Sequence, residues 1–202
     1  DSYNNVQYHM PADLLPFGIV GKIAYATNTA DTAAGSSGNN AGAAYTGSAT
    51  ATGATATEIQ VKAAPLDGLA IGASYFDFGG DQGMAKNDQE AESGAYFATY
   101  ATGPFSIGYS EAYKATLLKD DSGTTTDSVE DYRQVNYSVA FAATDALSVS
   151  YERETSEANK LDDTSVEQES TGVQVAYTMG GMTIALAHMG HDNNGYVTGA
   201  NK

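Results

Sequence analysis

The chain has 202 residues, a formal net charge of −16 and no cysteine. That length fits one domain, and the lack of cysteine excludes disulfides, thiolate metal sites and cysteine nucleophiles. The excess of acid argues against nucleic acid as a partner, since nucleic-acid binding needs clustered Lys and Arg. No apolar run is long enough for a transmembrane helix, and a hydrophobic content of 42% excludes a fully disordered chain.

Apolar residues at every second position predict about ten β-strands. The first lies near residues 3–9, and the clearest spans residues 105–113, where Phe105, Ile107 and Tyr109 share one face. The same alternation recurs at residues 135–141, 147–151, 173–177 and 182–186. Helical spacing fits none of these segments, so the sequence predicts an all-β, antiparallel, up-and-down architecture.

The predicted connections alternate between short and long. The short ones are rich in Gly, Pro and Asp, which favour tight turns, and lie at residues 11–16, 65–68, 102–104, 144–146 and 179–181. The long ones carry most of the acid and lie at residues 28–56, 79–90, 117–131, 157–168 and 191–202. This one-sided alternation is typical of an outer-membrane β-barrel, with tight periplasmic turns and long extracellular loops.

One long connection, residues 30–56, consists mainly of Ala, Gly, Thr and Ser and carries almost no charge. Such a low-complexity segment is interpreted as an extracellular loop, with a disordered linker as the alternative. The whole chain, residues 1–202, is expected to form a single barrel domain.

Aromatic residues near the strand ends predict two girdles, one at each membrane interface. Strands of about ten residues, tilted by about 45°, would span roughly 23 Å, close to the apolar band of about 25 Å in such barrels. The predicted girdle residues adjoin either the short turns (Phe17, Phe105 and Phe141) or the long loops (Tyr25, Tyr75, Tyr113 and Tyr151). Ordinary packing of tyrosine in a sheet is the alternative.

The opposite side of each predicted strand is small and polar, which suits a water-filled lumen. A solvent-exposed face of a half-buried sheet is the alternative. Six charged residues share this side by strand phase and are candidates to line a pore and tune its ion selectivity: Lys22, Glu58, Lys62, Lys114, Glu152 and Glu154. The acidic loops would concentrate cations at the mouth, which predicts a weak cation preference.

Metal binding and catalysis have little support in the sequence. His188 and His191 are three residues apart on a predicted strand and would point to opposite faces, which disfavours a shared metal. No nucleophile elbow, phosphate loop or dinucleotide fingerprint occurs, so no catalytic residue and no cofactor are expected. A weak candidate for Ca²⁺, with solvated loop acids as the favoured interpretation, consists of Asp120, Asp121, Asp127, Glu130 and Asp131.

Four stretches carry a resemblance to a known family. They are Glu92-Ser-Gly-Ala-Tyr-Phe-Ala-Thr-Tyr, Gly103-Pro-Phe-Ser-Ile-Gly-Tyr, Asp145-Ala-Leu-Ser-Val-Ser-Tyr-Glu and Gly172-Val-Gln-Val-Ala-Tyr-Thr-Met-Gly-Gly-Met-Thr-Ile. Over most of its length the chain resembles a trimeric porin of the alphaproteobacterial type. The resemblance implies a transmembrane barrel of about 16 strands, a homotrimer in contact with outer-membrane lipid and lipopolysaccharide, and passive diffusion of small hydrophilic solutes and ions.

The sequence departs from this family at its two ends. Porin chains usually start with a strand that closes on the last one and finish with a strand and a terminal aromatic residue, whereas this chain begins mid-pattern at Asp1 and finishes in the loop-like residues 199–202. The chain is therefore expected to be an internal segment of a longer barrel. Two alternatives stay open: a surface-displayed or soluble β-sheet protein with a structural or adhesive role, and, more remotely, an outer-membrane barrel enzyme with His188 or His191 beside Asp192.

Overall fold

The computed structural model describes residues 5–11, 13–26, 55–78, 87–89, 91–116, 118–119 and 129–202. Twelve strands lie in this part of the chain. They are β1 (Asn5–His9), β2 (Val20–Ala26), β3 (Ala56–Leu66), β4 (Leu69–Phe78), β5 (Asn87–Gln89), β6 (Ala91–Thr102), β7 (Phe105–Ala115), β8 (Leu118–Lys119), β9 (Val129–Ala142), β10 (Leu147–Lys160), β11 (Ser165–Met179) and β12 (Met182–Asp192).

Ten of these strands form one antiparallel sheet in the order β1-β2-β3-β4-β6-β7-β9-β10-β11-β12. Every neighbour in the sheet is also the next sheet strand along the chain, which makes the topology up-and-down, while β5 and β8 form a separate two-stranded ribbon. The predictions of an all-β fold and of about ten strands are therefore confirmed. Within the described residues, β1 and β12 do not pair with each other, and the sheet is open.

Four of the short connections lie at one end of the sheet. Two-residue turns join β3 to β4, β6 to β7 and β11 to β12, and residues 143–146 join β9 to β10. In the β9–β10 connection, the hydroxyl of Thr144 accepts hydrogen bonds from the backbone N–H groups of Ala146 and Leu147. Each of these four turns falls on a Gly, Pro, Asp or Thr segment that the sequence predicted.

The turn between β3 and β4 requires glycine. Gly68 has a φ of +78°, and a Cβ built on it would lie 2.1 Å from the carbonyl oxygen of Ala101. With glycine at this position the turn and β6 approach closely enough for a hydrogen bond of 2.8 Å, which the Ala101 N–H donates to the Gly68 carbonyl. This turn therefore packs directly against β6.

Two predicted connections are wrong in length. The connection after β1 spans residues 10–19 rather than 11–16, because a 3-10 turn at Pro16–Gly18 places Phe17 in the left-handed region, with a φ of +62°, before β2 begins. The predicted long loop at 157–168 is instead a four-residue turn at residues 161–164, since β10 and β11 continue in register to Asn159 and Ser165. Most of residues 30–56 lies outside the described residues.

The two sides of the sheet differ sharply in character. The side that carries Ile23, Ile59 and Tyr137 is called here the apolar face, and the opposite side, which carries Gln60, Ser110 and Asn136, is called the polar face. All strongly exposed large hydrophobic residues in the described sheet strands lie on the apolar face, with the exception of Met189. The few buried residues of the described part are Ala24, Ala26, Ser156 and Ala158, and all four lie on the polar face.

A half-buried antiparallel sheet commonly packs its apolar side on a core, whereas the apolar face of the described strands is exposed. Side chains such as Val6 and Leu186 are each 72% exposed. Within the described residues, no helix is long and apolar enough to cross a membrane.

Candidate functional site on the polar face

The register of the sheet places the six candidate charged residues on one face. Lys22 pairs with Gln60, Lys62 with Gly72, Lys114 with Tyr132, and Glu154 with Asn136, so all of these positions project to the polar side. Glu58 and Glu152 occupy the same phase of β3 and β10. The shared face follows from strand alternation, whereas the role of these residues in a pore stays a prediction.

Near the β1 edge of the sheet, basic and acidic side chains of β2 and β3 form one group. The Lys22 ammonium lies 3.3 Å from Oε2 of Glu58, and the Gln60 side-chain amide donates a hydrogen bond to the other carboxylate oxygen. Both charged side chains are partly exposed, so the pair contributes about 0–1 kcal/mol to stability. Lys62 follows four residues after Glu58 on the same face of β3.

A second, acidic group lies on β10. Glu152 accepts a hydrogen bond of 2.5 Å from the Asn136 side-chain amide of the neighbouring strand, and Glu154 projects from the same face two residues further on. Five strand-to-strand steps separate this group from β3. The polar face therefore carries Lys22 and Lys62 on β2 and β3 and two carboxylates on β10, with Lys114 between them on β7.

The predicted girdle residues fall on the apolar face, apart from Phe17. Near the short turns, the rings of Phe105 and Phe141 stack with their centroids 4.7 Å apart and an interplanar angle of 25°. Near the other end, Tyr25, Tyr75 and Tyr113 lie one to three residues before the ends of β2, β4 and β7. These positions agree with two aromatic rows, although a membrane girdle stays a prediction.

The placement of Tyr151 is corrected. It was expected beside a long loop, but it is the fifth residue of β10 and pairs with Val139 and Val173, near the short-turn end. The error has the same physical cause as the loop predicted at residues 157–168: the acidic half of β10 continues the strand to Lys160 instead of leaving it. Phe17 lies in the 3-10 turn before β2 and is exposed.

The apolar face also carries polar clusters, which sequence analysis did not identify. The carboxylate of Glu111 accepts hydrogen bonds from the hydroxyls of Tyr96 and Tyr109. Further along the sheet, Arg153 makes a two-point ion pair with Glu169, with N–O distances of 3.0 and 2.7 Å. Glu111 was visible in the sequence as a break in the alternation, but its two tyrosine donors come from register, which the sequence does not state.

A segment that the sequence analysis described only as a terminal loop also lies on the polar face. Residues 193–202 fold back from β12, and the hydroxyl of Tyr196 lies 2.6 Å from that of Ser156 on β10. The Tyr196 ring packs on Tyr132 of β9, with centroids 5.3 Å apart. No local pattern around Tyr196 predicts a partner 40 residues away.

The structure brings together no metal site in the described part of the chain, where no group of three His, Asp or Glu residues is suitably close. His188 pairs with Val173 on the apolar face, whereas His191 lies on the polar face and hydrogen-bonds to the Ser170 hydroxyl at 2.9 Å. Of the candidate Ca²⁺ ligands, Asp120, Asp121 and Asp127 lie outside the described residues. Asp131 accepts hydrogen bonds from Asn159 and Arg133 within the sheet.

No known family model matches this chain, and no curated protein sequence matches it significantly. Its function is therefore inferred from the two faces of the sheet.

Proposed function

We propose that this protein is a passive diffusion channel for small hydrophilic solutes and ions, located in the outer membrane of a Gram-negative cell. Lipid and lipopolysaccharide contact the apolar face, and the polar face lines the lumen of a closed barrel. The observation that supports this most is the exposure of large apolar side chains on one face of all ten strands. A protein in water would not leave such a continuous apolar surface uncovered.

The boundary of the apolar face runs obliquely across the strands. One row of paired residues begins at Tyr25 on β2, passes through Ala115 on β7 and ends at Ser165 on β11. On β2 the apolar positions reach this row at Tyr25, but on β11 the residues Glu167, Glu169 and Thr171 intervene and the apolar positions begin only at Val173. The boundary has moved by eight residues, from Ser165 to Val173, over seven strand-to-strand steps.

This displacement corresponds to a definite strand tilt. Eight residues cover about 26 Å along a strand and seven steps cover about 34 Å across the sheet, which gives an angle of about 38°. The strands of membrane barrels are tilted by about 35–45° from the barrel axis. An apolar band of constant height around a barrel would produce this oblique boundary, which supports a membrane-spanning barrel over a flat surface sheet.

The proposal includes no catalytic step, cofactor or metal, since diffusion through a polar lumen requires none. The resemblance to porins adds a homotrimer to the proposal. The surface-displayed adhesin and the barrel enzyme are the competing functions, and neither has an observation of its own in the described residues.

The decisive experiment is reconstitution of the full-length protein in a planar lipid bilayer with recording of single-channel currents. We expect the protein to require detergent and to show stepwise, long-lived openings, in groups of three if it is a trimer. A protein that stays soluble without detergent and never conducts would refute the channel and favour the surface-displayed β-protein. Proteolytic activity lost on replacement of His188 or His191 would favour the enzyme.

A further inference from the structure

Residues 193–202, which follow β12, are called here the Tyr196 segment, and they cross three strands on the polar face. The Gly195 N–H donates a 2.7 Å hydrogen bond to the side-chain oxygen of Gln168 on β11. Tyr196 then reaches Ser156 on β10 and Tyr132 on β9. The segment therefore lies across the sheet at the end opposite the short turns.

Hydrogen bonds within the Tyr196 segment and to the sheet hold it in shape. The Asn193 side chain donates to the backbone carbonyl of Glu167 at 2.9 Å and accepts from the Gly199 N–H at 2.8 Å. At the base, the backbone N–H and C=O groups of His191 and Lys202 form two mutual hydrogen bonds of 2.8 and 2.9 Å. Tyr196 has a φ of +59°, a conformation that costs on the order of 1 kcal/mol and persists only where surrounding contacts hold it.

Burial beneath Tyr196 differs from the rest of the polar face. Ser156 and Ala158 are 8% and 2% exposed, and they are two of the only four buried residues in the described part of the chain. Ala158 pairs with Tyr132, on whose ring Tyr196 packs, and Ser156 bonds to Tyr196 directly. Tyr196 therefore covers a patch of the polar face that would otherwise be exposed.

We propose that the Tyr196 segment is an obstruction in the lumen and that Tyr196 is the residue that positions it, so that this segment limits the size of the solutes that pass. This inference rests on the proposed channel function, because the polar face must line a pore for the segment to narrow it. Glu154 lies two residues from Ser156 on the same face. A solute that passes the obstruction therefore meets a carboxylate, which suits small cations and neutral polar solutes.

Docking of the segment is tested by thiol labelling, independently of conduction. The chain has no cysteine, so Ala158→Cys gives a single reporter under Tyr196, and Ser138→Cys gives an exposed reporter on the same face. With Tyr196 in place, labelling of Ala158→Cys requires local opening of the segment. We therefore expect Ala158→Cys to react with a charged, water-soluble maleimide about tenfold faster when Tyr196→Ala is added. Ser138→Cys should react quickly in both backgrounds.

Narrowing of the pore is tested by single-channel recording with polyethylene glycols of increasing size. We expect Tyr196→Ala to raise the conductance and to admit larger polymers, and Tyr196→Phe, which keeps the ring on Tyr132, to have a smaller effect. Val139→Ala is the control, because Val139 lies on the opposite, apolar face of β9 and is 41% exposed. It should leave both the conductance and the size limit unchanged.

The outcomes separate the two proposals. Fast labelling of Ala158→Cys with Tyr196 in place would overturn the docked segment. A conducting protein whose conductance and size limit are unaffected by Tyr196→Ala would overturn the obstruction and leave the channel intact. A wild-type protein that never conducts would overturn both, even if the labelling showed a docked segment.

Discussion

Among the glycines of the described residues, Gly68 leaves the least room for a side chain. Its positive φ disfavours any side chain, and a Cβ would collide with the Ala101 carbonyl at 2.1 Å. We expect Gly68→Ala to lower the free energy of unfolding by about 2–3 kcal/mol, as strain and a displaced contact with β6 add together. Urea unfolding of the lipid-reconstituted protein would measure this.

Gly180 provides the matched control for this prediction. It has a similar positive φ of +60°, but nothing lies within 4 Å of a Cβ built on it. Gly180→Ala should therefore cost only the backbone strain, about 1–2 kcal/mol. Equal losses for the two substitutions would show that the close approach of β6 is unimportant.

Asp162 in the turn between β10 and β11 should show a perturbed titration. The side-chain hydroxyl and the backbone N–H of Thr164 both donate to its carboxylate, and the pKa of Asp162 is lowered, with the hydroxyl as the larger cause. Because the folded pKa is below the unfolded one, this contribution to stability is present above the ordinary carboxyl pKa and is lost as pH falls through the folded value.

We expect Thr164→Ala to raise the pKa of Asp162 toward its ordinary value, because the hydroxyl donor is removed. Thr164→Ser keeps a hydroxyl and should preserve most of the shift. The measurement is a pH titration of the Asp162 side-chain carboxyl carbon by NMR. An unchanged pKa in Thr164→Ala would mean that the turn hydrogen bonds do not form in solution.

The alternation of apolar residues predicted where most strands lie and which face each residue occupies. It did not predict strand extensions and contacts that depend on residues distant in the sequence. Residues 105–113 and 173–177 follow a period of two, and they form strands in the expected phase. The halves of β10 and β11 next to the turn at residues 161–164 are acidic and resemble a loop in sequence. Cross-strand pairing and the Arg153–Glu169 ion pair nevertheless keep them in the sheet. The face shared by the six candidate charges was predictable, whereas the contacts of Tyr196 were not.

The oblique apolar boundary gives a prediction about strands in the membrane. The chain contains no tryptophan, so single substitutions are clean fluorescence reporters. Ile23 and Glu167 lie on the same row of paired residues. The boundary of the apolar face crosses this row, so Ile23 lies within the apolar region and Glu167 lies outside it. We expect Ile23→Trp and Val173→Trp to be quenched strongly by lipids with spin labels on their acyl chains, and Glu167→Trp to be quenched little.

Depth quenching also separates the possible arrangements. If the strands stand upright in the bilayer, Ile23→Trp and Glu167→Trp should be quenched alike, because paired residues would share one depth. If the sheet is a surface-displayed protein, none of the three should be quenched. Only tilted, membrane-spanning strands place Ile23 and Val173 at a similar depth in the bilayer and Glu167 outside it.

For the whole molecule, the distribution of charge matters more than its sum. The chain carries a net charge of −16, but the six candidate residues of the polar face comprise three lysines and three glutamates. Glu58 is paired with Lys22, which leaves Glu152 and Glu154 as the carboxylates that attract cations to this face. The proposed lumen is therefore nearly balanced, and a modest change in its charges should shift its selectivity.

We expect the double substitution Glu152→Gln, Glu154→Gln to reduce the cation preference of the channel. A carboxylate about 10 Å from a passing ion contributes about 0.4 kcal/mol in water, a factor of about two in local ion concentration. Each carboxylate also repels anions, and screening in 0.1 M salt reduces each effect to about 0.15 kcal/mol. Loss of both charges should therefore lower the cation-to-anion permeability ratio by about threefold, measured from the reversal potential across a KCl gradient. Glu167→Gln, which removes a charge from the opposite face of β11, should leave that potential unchanged.

Salt concentration provides an internal check on this effect. Screening extends over about 10 Å at 0.1 M salt and about 3 Å at 1 M. The difference between wild type and the double variant should therefore be clear with dilute KCl and should nearly vanish at 1 M. If Glu167→Gln shifts the reversal potential as much as the double variant does, then the face of β10 that carries Glu152 and Glu154 does not line the conduction path.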